Sequence, residues 1–174
     1  MSIEHLASRP LHEGFVRLER ERWRYPDGSE HELEVVRRPD SACVVPCDGT
    51  SMYLVRQPRP AVGESALLEL PAGGIDRGEE PLAAARRELS EELGLGARSW
   101  RPLGCVYSSP GALSETIWIY SATDLHPADG VPDEDERIEV VRWPLPRLAE
   151  LRAELRDAKS LLGLLLFERQ ELVG

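Results

Sequence analysis

The sequence predicts an α/β fold: a mixed β-sheet flanked by helices, with a β-hairpin added at the N-terminus. Three observations predict it. Strand-like segments dominate residues 14–143, one amphipathic helical stretch at 81–93 interrupts them, and helical apolar spacing returns only after residue 146. A strict βαβα alternation is absent, which argues against a doubly wound parallel sheet.

The elements follow in chain order. Residues 14–25 alternate partially through Phe15, Leu18, Trp23 and Tyr25, and 31–38 resume with Leu33, Val35 and Val36. Pro26-Asp27-Gly28-Ser29 between them is a turn signal, so the pair reads as a hairpin. Residues 42–47 and 52–59, joined by Asp48-Gly49-Thr50-Ser51, read as a second hairpin. Leu67 to Leu70 is a short apolar strand ending at Pro71. Further strands are expected at 105–107, 116–122 and 138–143, and helices at 146–155 and 159–172.

Composition bounds the function. With 174 residues, 41% hydrophobic and 30% charged, the chain can bury a core without disulfides. Lys plus Arg is 21 against 31 for Asp plus Glu, a net charge of -10, which disfavours a binder of nucleic-acid backbones. No apolar run approaches the roughly 20 residues of a membrane span. Glu4 and His5 stand where a signal peptide would be basic and then apolar. The three cysteines, Cys43, Cys47 and Cys105, suit a reducing cytoplasm. The four histidines, His5, His12, His31 and His126, lack metal-ligand spacing.

The chemistry concentrates between Gly73 and Leu95. Pro81 opens a helix, Glu79 and Glu80 suit its positive end, and Gly94 is placed to end it in a left-handed conformation. Leu82, Ala85, Leu89 and Leu93 form the expected buried stripe. Glu88, Glu91 and Glu92, at i, i+3 and i+4, crowd three carboxylates onto one patch near the negative end of the dipole. Arg87 can pair with Glu91, which leaves Glu88 and Glu92 without a local cation. A hard divalent cation, Mg²⁺ or Mn²⁺, would relieve the repulsion; a solvated acidic face is the alternative.

The spacing narrows this choice. From Gly73 there are five residues to Glu79, then seven to Arg87-Glu88, then Leu89, Ser90, Glu91-Glu92, Leu93, Gly94 and Leu95. The segment resembles the Nudix box, Gly-x5-Glu-x7-Arg-Glu-apolar-x-Glu-Glu-x-Gly-apolar, with every fixed position filled. Its flanks resemble the ADP-ribose pyrophosphatase subfamily: LELPAG at 68–73, Pro110 sixteen residues past Gly94, the acidic run at 132–141, the N-terminal segment 14–38, and VRQPRPAVG at 55–63.

The resemblance implies a Nudix α/β/α sandwich over 41–174 and an N-terminal β-extension over 1–40 that serves dimerisation and substrate binding. It implies a metal-dependent hydrolase splitting ADP-ribose into AMP and ribose 5-phosphate, acting as a homodimer. Glu88 and Glu92 match metal ligands, with Glu91 as an additional or alternative one, and Ala72 matches a residue whose carbonyl binds metal. Arg87 matches an arginine that orients the box glutamates. Glu136 or Glu134 matches a loop glutamate that holds the last metal or activates water. Arg38 and Arg59 match contacts to phosphates or the terminal ribose, and Phe15 and Glu34 match residues holding the base. Leu33 falls where the family has a second aromatic clamp, which leaves other bases open.

Each assignment has a plainer counterpart. Phe15 also fits strand core, Arg38 and Arg59 fit surface ion pairs, and 133–136 fits a solvated loop. The four tryptophans read as packing residues. Competing functions are a broader nucleoside diphosphate sugar hydrolase, acting on GDP-mannose or ADP-glucose, and a non-catalytic ADP-ribose sensor. The intact carboxylate trio speaks against the sensor.

Overall fold

A computed structural model describes residues 2–14, 16–130 and 137–171. By internal contacts it divides into two units, Met1–Asp40 with Tyr107–Thr116, and Ser41–Val106 with Ile117–Gly174.

The first unit is an antiparallel sheet of three strands, β1 (Glu4–Glu13), β2 (Arg17–Arg24) and β3 (Glu30–Arg37), in the order β1-β2-β3. The predicted hairpin is β2–β3, with Glu21 opposite Leu33 and Arg20 opposite Glu34. The additional strand β1 escaped the sequence reading because it is an exposed edge that carries no apolar alternation. Pro10 is tolerated there because an edge strand need not donate every N–H. Opposite charges stabilise the cross-strand pairs: Arg20 bonds Glu34 at 2.6 Å, and Arg37 bonds both Glu19 and the buried Glu21. Residues 109–114 dock on this sheet through Val36 N–H to Ala112 O at 2.8 Å and Ser114 N–H to Val36 O at 3.1 Å.

The second unit carries two sheets and three α-helices. One sheet is mixed, in the order β7 (Ala72–Gly74), β4 (Ser41–Pro46), β9 (Thr116–Pro127), β8 (Leu95–Tyr107). Within it β4 runs parallel to β9 and antiparallel to β7. The other is antiparallel, in the order β10 (Glu139–Pro144), β5 (Ser51–Arg59), β6 (Glu64–Glu69). The second predicted hairpin is therefore corrected. Its turn is real, since Asp48 Oδ1 accepts the Thr50 and Ser51 N–H groups at 2.8 Å. Beyond a single bridge at Cys47–Met52, however, the two strands join different sheets.

Alternation along β4 builds the layers. Ala42 and Val44 face one way and pack with Ala84, Ala85 and Leu89 of α1 (Pro81–Leu93). Cys43 and Val45 face the other way, with Leu54, Leu68, Leu151 of α2 (Leu148–Glu154) and Leu164 of α3 (Ala158–Glu171). Helix, sheet and helix form the predicted sandwich. Cys43 and Cys47 are buried core, and burial pushes the Cys43 thiol up to about 12. Among the described residues no helix is long and apolar enough to cross a membrane.

Candidate active site

Helix α1 begins at Pro81 and ends at Gly94, whose φ of 64° and N–H bonded to Leu89 O and Ser90 O make the left-handed cap predicted for it. Its buried face keeps Ala85 and Leu89 of the predicted stripe but is centred elsewhere. The buried residues are Ala84, Ala85, Glu88, Leu89 and Glu92, while Leu82 and Leu93 are only half covered. Glu88 and Glu92 thus lie on the inward side, and the solvated-face alternative fails for both.

Two contacts explain how carboxylates come to be buried there. Gly73 on β7 passes directly over Glu88: a Cβ on Gly73 would stand closer than 3.0 Å to all three atoms of the Glu88 carboxylate. Only glycine leaves that room. One residue earlier, Ala72 N–H donates to Glu92 Oε2 at 3.1 Å. The Ala72–Gly73 segment is therefore bracketed by the two buried glutamates.

Arg87 organises the rest. Its Nε donates to Glu79 Oε1 at 3.1 Å, and Nη2 donates to Glu79 Oε2 at 3.0 Å and to the Gly74 carbonyl at 2.7 Å. Its Nη1 donates to Glu88 Oε1 at 2.6 Å and to Glu91 Oε2 at 2.9 Å. All five N–H donors of the guanidinium are used. The expectation that Glu88 lacks a local cation is corrected, because Arg87 reaches its neighbour as well as Glu91. Glu79 is also reassigned: it serves Arg87 rather than the helix dipole, and it accepts the Asp76 N–H at 3.0 Å. Hydrogen bonds from Arg87 hold Glu79 below the usual carboxylate range, and the same bonds hold Arg87 firmly protonated.

Glu88, Glu91 and Glu92 offer oxygen donors at i, i+3 and i+4, the chemistry a hard divalent cation prefers, and Ala72 N–H meets Glu92 Oε2. Among the described residues no group of three or more His, Cys, Asp or Glu side chains is placed to hold a metal ion. Arg87 holds one oxygen each of Glu88 and Glu91. Glu134 and Glu136 lie outside the described residues, as does Phe15.

The remaining predicted residues lie on other elements. Arg59, on β5, donates from Nε to Glu69 Oε2 at 2.8 Å, so its ion-pair alternative is met. Glu34 is exposed and paired with Arg20. Arg38 is exposed, its backbone N–H bonded to Ser114 Oγ at 3.1 Å, and Pro110 is exposed in the 109–112 turn of the same unit. A cavity of about 610 Å³, lined by Asp48, Asp124, Leu145 and Phe167 among others, includes none of these residues.

Residues 37–163 match the NUDIX domain family model. The chain belongs to the Nudix family. The Nudix protein is 34% identical to an ADP-ribose pyrophosphatase of Bacillus subtilis over 141 residues, 78% of this chain and 75% of the relative. It is 34% identical over 171 residues, 94% of this chain and 82% of the relative, to an ADP-ribose pyrophosphatase of Mycobacterium tuberculosis. A GDP-mannose pyrophosphatase of Salmonella typhimurium is 33% identical over 145 residues, 76% of this chain and 75% of its own. The crystal structure of an ADP compounds hydrolase superposes with a TM-score of 0.86 at 27% identity, covering 98% of this chain and 94% of that one. Nudix pyrophosphohydrolases of this kind depend on a divalent metal, and the Arg87 hub sits on the box that defines them.

Proposed function

We propose that this Nudix protein hydrolyses the pyrophosphate bridge of ADP-ribose with one water, giving AMP and ribose 5-phosphate. The observation that carries the reading is the bracket at Ala72–Gly73, where Glu88 and Glu92 are buried against backbone while Arg87 fixes Glu88 and Glu91. Arg87 offsets part of the charge of Glu88 and Glu91, and a divalent cation would offset what the three carboxylates still carry.

Glu88, Glu91, Glu92 and the Ala72 carbonyl would hold Mg²⁺ or Mn²⁺. Such an ion, when bound, neutralises charge on the phosphates and lowers the pKa of attached water. The chain's own groups do the remainder. Arg87 keeps the glutamates from splaying. Arg59 offers a guanidinium to a phosphate, a geometry that suits its planar fork. Either Glu136 or Glu134 accepts the proton of the attacking water. In the N-terminal unit, Glu34, Arg38 and Pro110 are assigned to substrate contacts, as is Phe15. Residues 1–40 are assigned to a homodimer interface; β1, exposed along almost its whole length, supports this. Light scattering at micromolar concentration should give twice 19.5 kDa, and a monomer would remove the interface and the Phe15 and Glu34 assignments with it.

A second reading, a broader nucleoside diphosphate sugar hydrolase, is favoured by Leu33. It is 42% exposed and aliphatic where the resemblance calls for a stacking aromatic. One experiment tests both. ADP-ribose, ADP-glucose and GDP-mannose are incubated with Mg²⁺, and inorganic phosphate is read after a coupled phosphatase. Only cleaved products expose a terminal phosphate. Highest kcat/KM on ADP-ribose supports the first reading, parity with GDP-mannose supports the second, and no turnover on any sugar overturns both.

A further inference from the structure

We propose that Lys159, at the start of α3, is a positioning residue for phosphate binding: through Glu69 it holds the Arg59 guanidinium in place. The inference rests on the reading of Arg59 as a substrate contact.

Glu69 ends β6 and is 3% exposed. A carboxylate so buried must be paired on its oxygens. Oε2 accepts from Arg59 Nε at 2.8 Å, with Nη2 of the same guanidinium in ion-pair contact at 2.8 Å, and Oε1 accepts from Lys159 Nζ at 2.9 Å. Lys159 also donates to Asp157 Oδ2 at 2.7 Å, and the same oxygen accepts the Ser160 hydroxyl at 2.6 Å and its N–H at 3.1 Å. Ser160, fully buried, accepts the Leu70 N–H at 2.8 Å. One connected network thus runs from the first turn of α3 to the strand end two residues before Ala72.

Arg59 differs from its partners. Its side chain is 40% exposed, whereas those of Lys159 and Glu69 are 16% and 4% exposed. The buried part of the network is an anchor and Arg59 is its outward end. With Oε1 fixed by Lys159, Glu69 can present Oε2 in one direction only. Two nitrogens of Arg59 are held there, and Nη1 is left to meet a ligand oxygen. An untethered arginine loses considerable rotamer freedom on gripping a phosphate. Glu69 and Lys159 impose that order beforehand, which is preorganisation. The benefit belongs to binding in ground and transition states alike, so its loss appears in KM rather than kcat.

The test is a double-mutant cycle on the full chain with ADP-ribose and Mg²⁺: wild type, Arg59→Ala, Lys159→Met, both together, and Lys159→Arg, each with thermal unfolding. We expect Lys159→Met to raise KM about tenfold with kcat within about twofold. In the Arg59→Ala background it should raise KM no further, because the tethered group is gone. Lys159→Arg, which keeps the charge and donors, should restore most of the affinity. Should Lys159→Met fail to fold, Glu69→Gln takes its place in the cycle with the same expected KM rise. An unchanged KM, or effects that multiply in the double variant, overturns the inference while leaving the proposed reaction standing. A wild type that turns over no ADP-ribose overturns the reaction itself, and the inference with it.

Discussion

Gly73 and Glu88 occupy each other's space: the carboxylate lies where a side chain on residue 73 would begin. The obstructed group is the end of a flexible side chain rather than backbone, so Gly73→Ala can be accommodated by swinging Glu88 away. We therefore expect Gly73→Ala to keep thermal stability near wild type and to lower kcat roughly 10- to 100-fold, the scale of disturbed ligand orientation. Unfolding and turnover measured on one preparation check it; full activity would show that Glu88 need not stay beneath β7.

Glu92 lies against the Ala72 N–H, and its amide analogue can still accept that bond. Glu92→Gln should therefore fold. It should also lose on the order of 10²- to 10³-fold in kcat, since a group that helps hold the cation has lost its charge. Retention of near-full turnover would remove Glu92 from the ligand set.

Arg87 meets five acceptors with five donors, a geometry that an ammonium with three cannot copy. Arg87→Lys is expected to leave Glu79 or Glu91 without its bond. Activity should fall at least tenfold, on the order of the loss seen when groups supporting a metal ligand are removed. Higher Mg²⁺ should restore part of it, because the ion then does more of the ordering. A kcat unmoved by the change, at any Mg²⁺ concentration, would assign Arg87 to stability alone.

Much of this was legible in the sequence because it is local. Pro81 and Gly94 bound α1, and the box spacing singled out Glu79, Glu88 and Glu91, the side chains that Arg87 bonds. What was misread depends on distant approach. The stripe of Leu82, Ala85, Leu89 and Leu93 follows helical period, yet the inward face holds Glu88 and Glu92, because Gly73 and Ala72 receive them there. Arg59 reads as a ligand contact or a surface ion-pair partner, but its partner Glu69 and the Lys159 behind it, the latter 100 positions away in sequence, are not visible there. The turn at Asp48 and both strands around it were read correctly but their pairing was not, since a turn fixes a reversal and not the sheet each strand joins.

The acidic segment 132–141 contains two candidates for the base, Glu134 and Glu136, and both lie outside the described residues. A single base predicts asymmetry. Glu134→Gln and Glu136→Gln, assayed separately, should show one loss of about 10²- to 10⁴-fold, the usual contribution of general base catalysis, and one small effect. Equal, small losses would place the proton acceptor elsewhere in the chain.

The α3 anchor should also set the pH limits of stability. Burial raises the proton affinity of Asp157, but the Lys159 ammonium and the bonds from Lys159 and Ser160 outweigh it, and its pKa lies below the ordinary 3.8. A depressed carboxylate stabilises the fold above its unfolded value and loses that stabilisation as pH falls through the folded one. Burial lowers Lys159, yet the Asp157 and Glu69 carboxylates prevail and raise it above 10.5. That contribution is complete below 10.5 and lost at higher pH. Asp157→Asn should thus be less stable at neutral pH and should flatten the decline of the unfolding temperature below 3.8, where the wild-type carboxylate takes up its proton. It should also bring the alkaline decline to lower pH, because Lys159 has lost one of its two anions. Parallel unfolding curves for the two proteins from acid to alkali would show that the network contributes nothing to either limit.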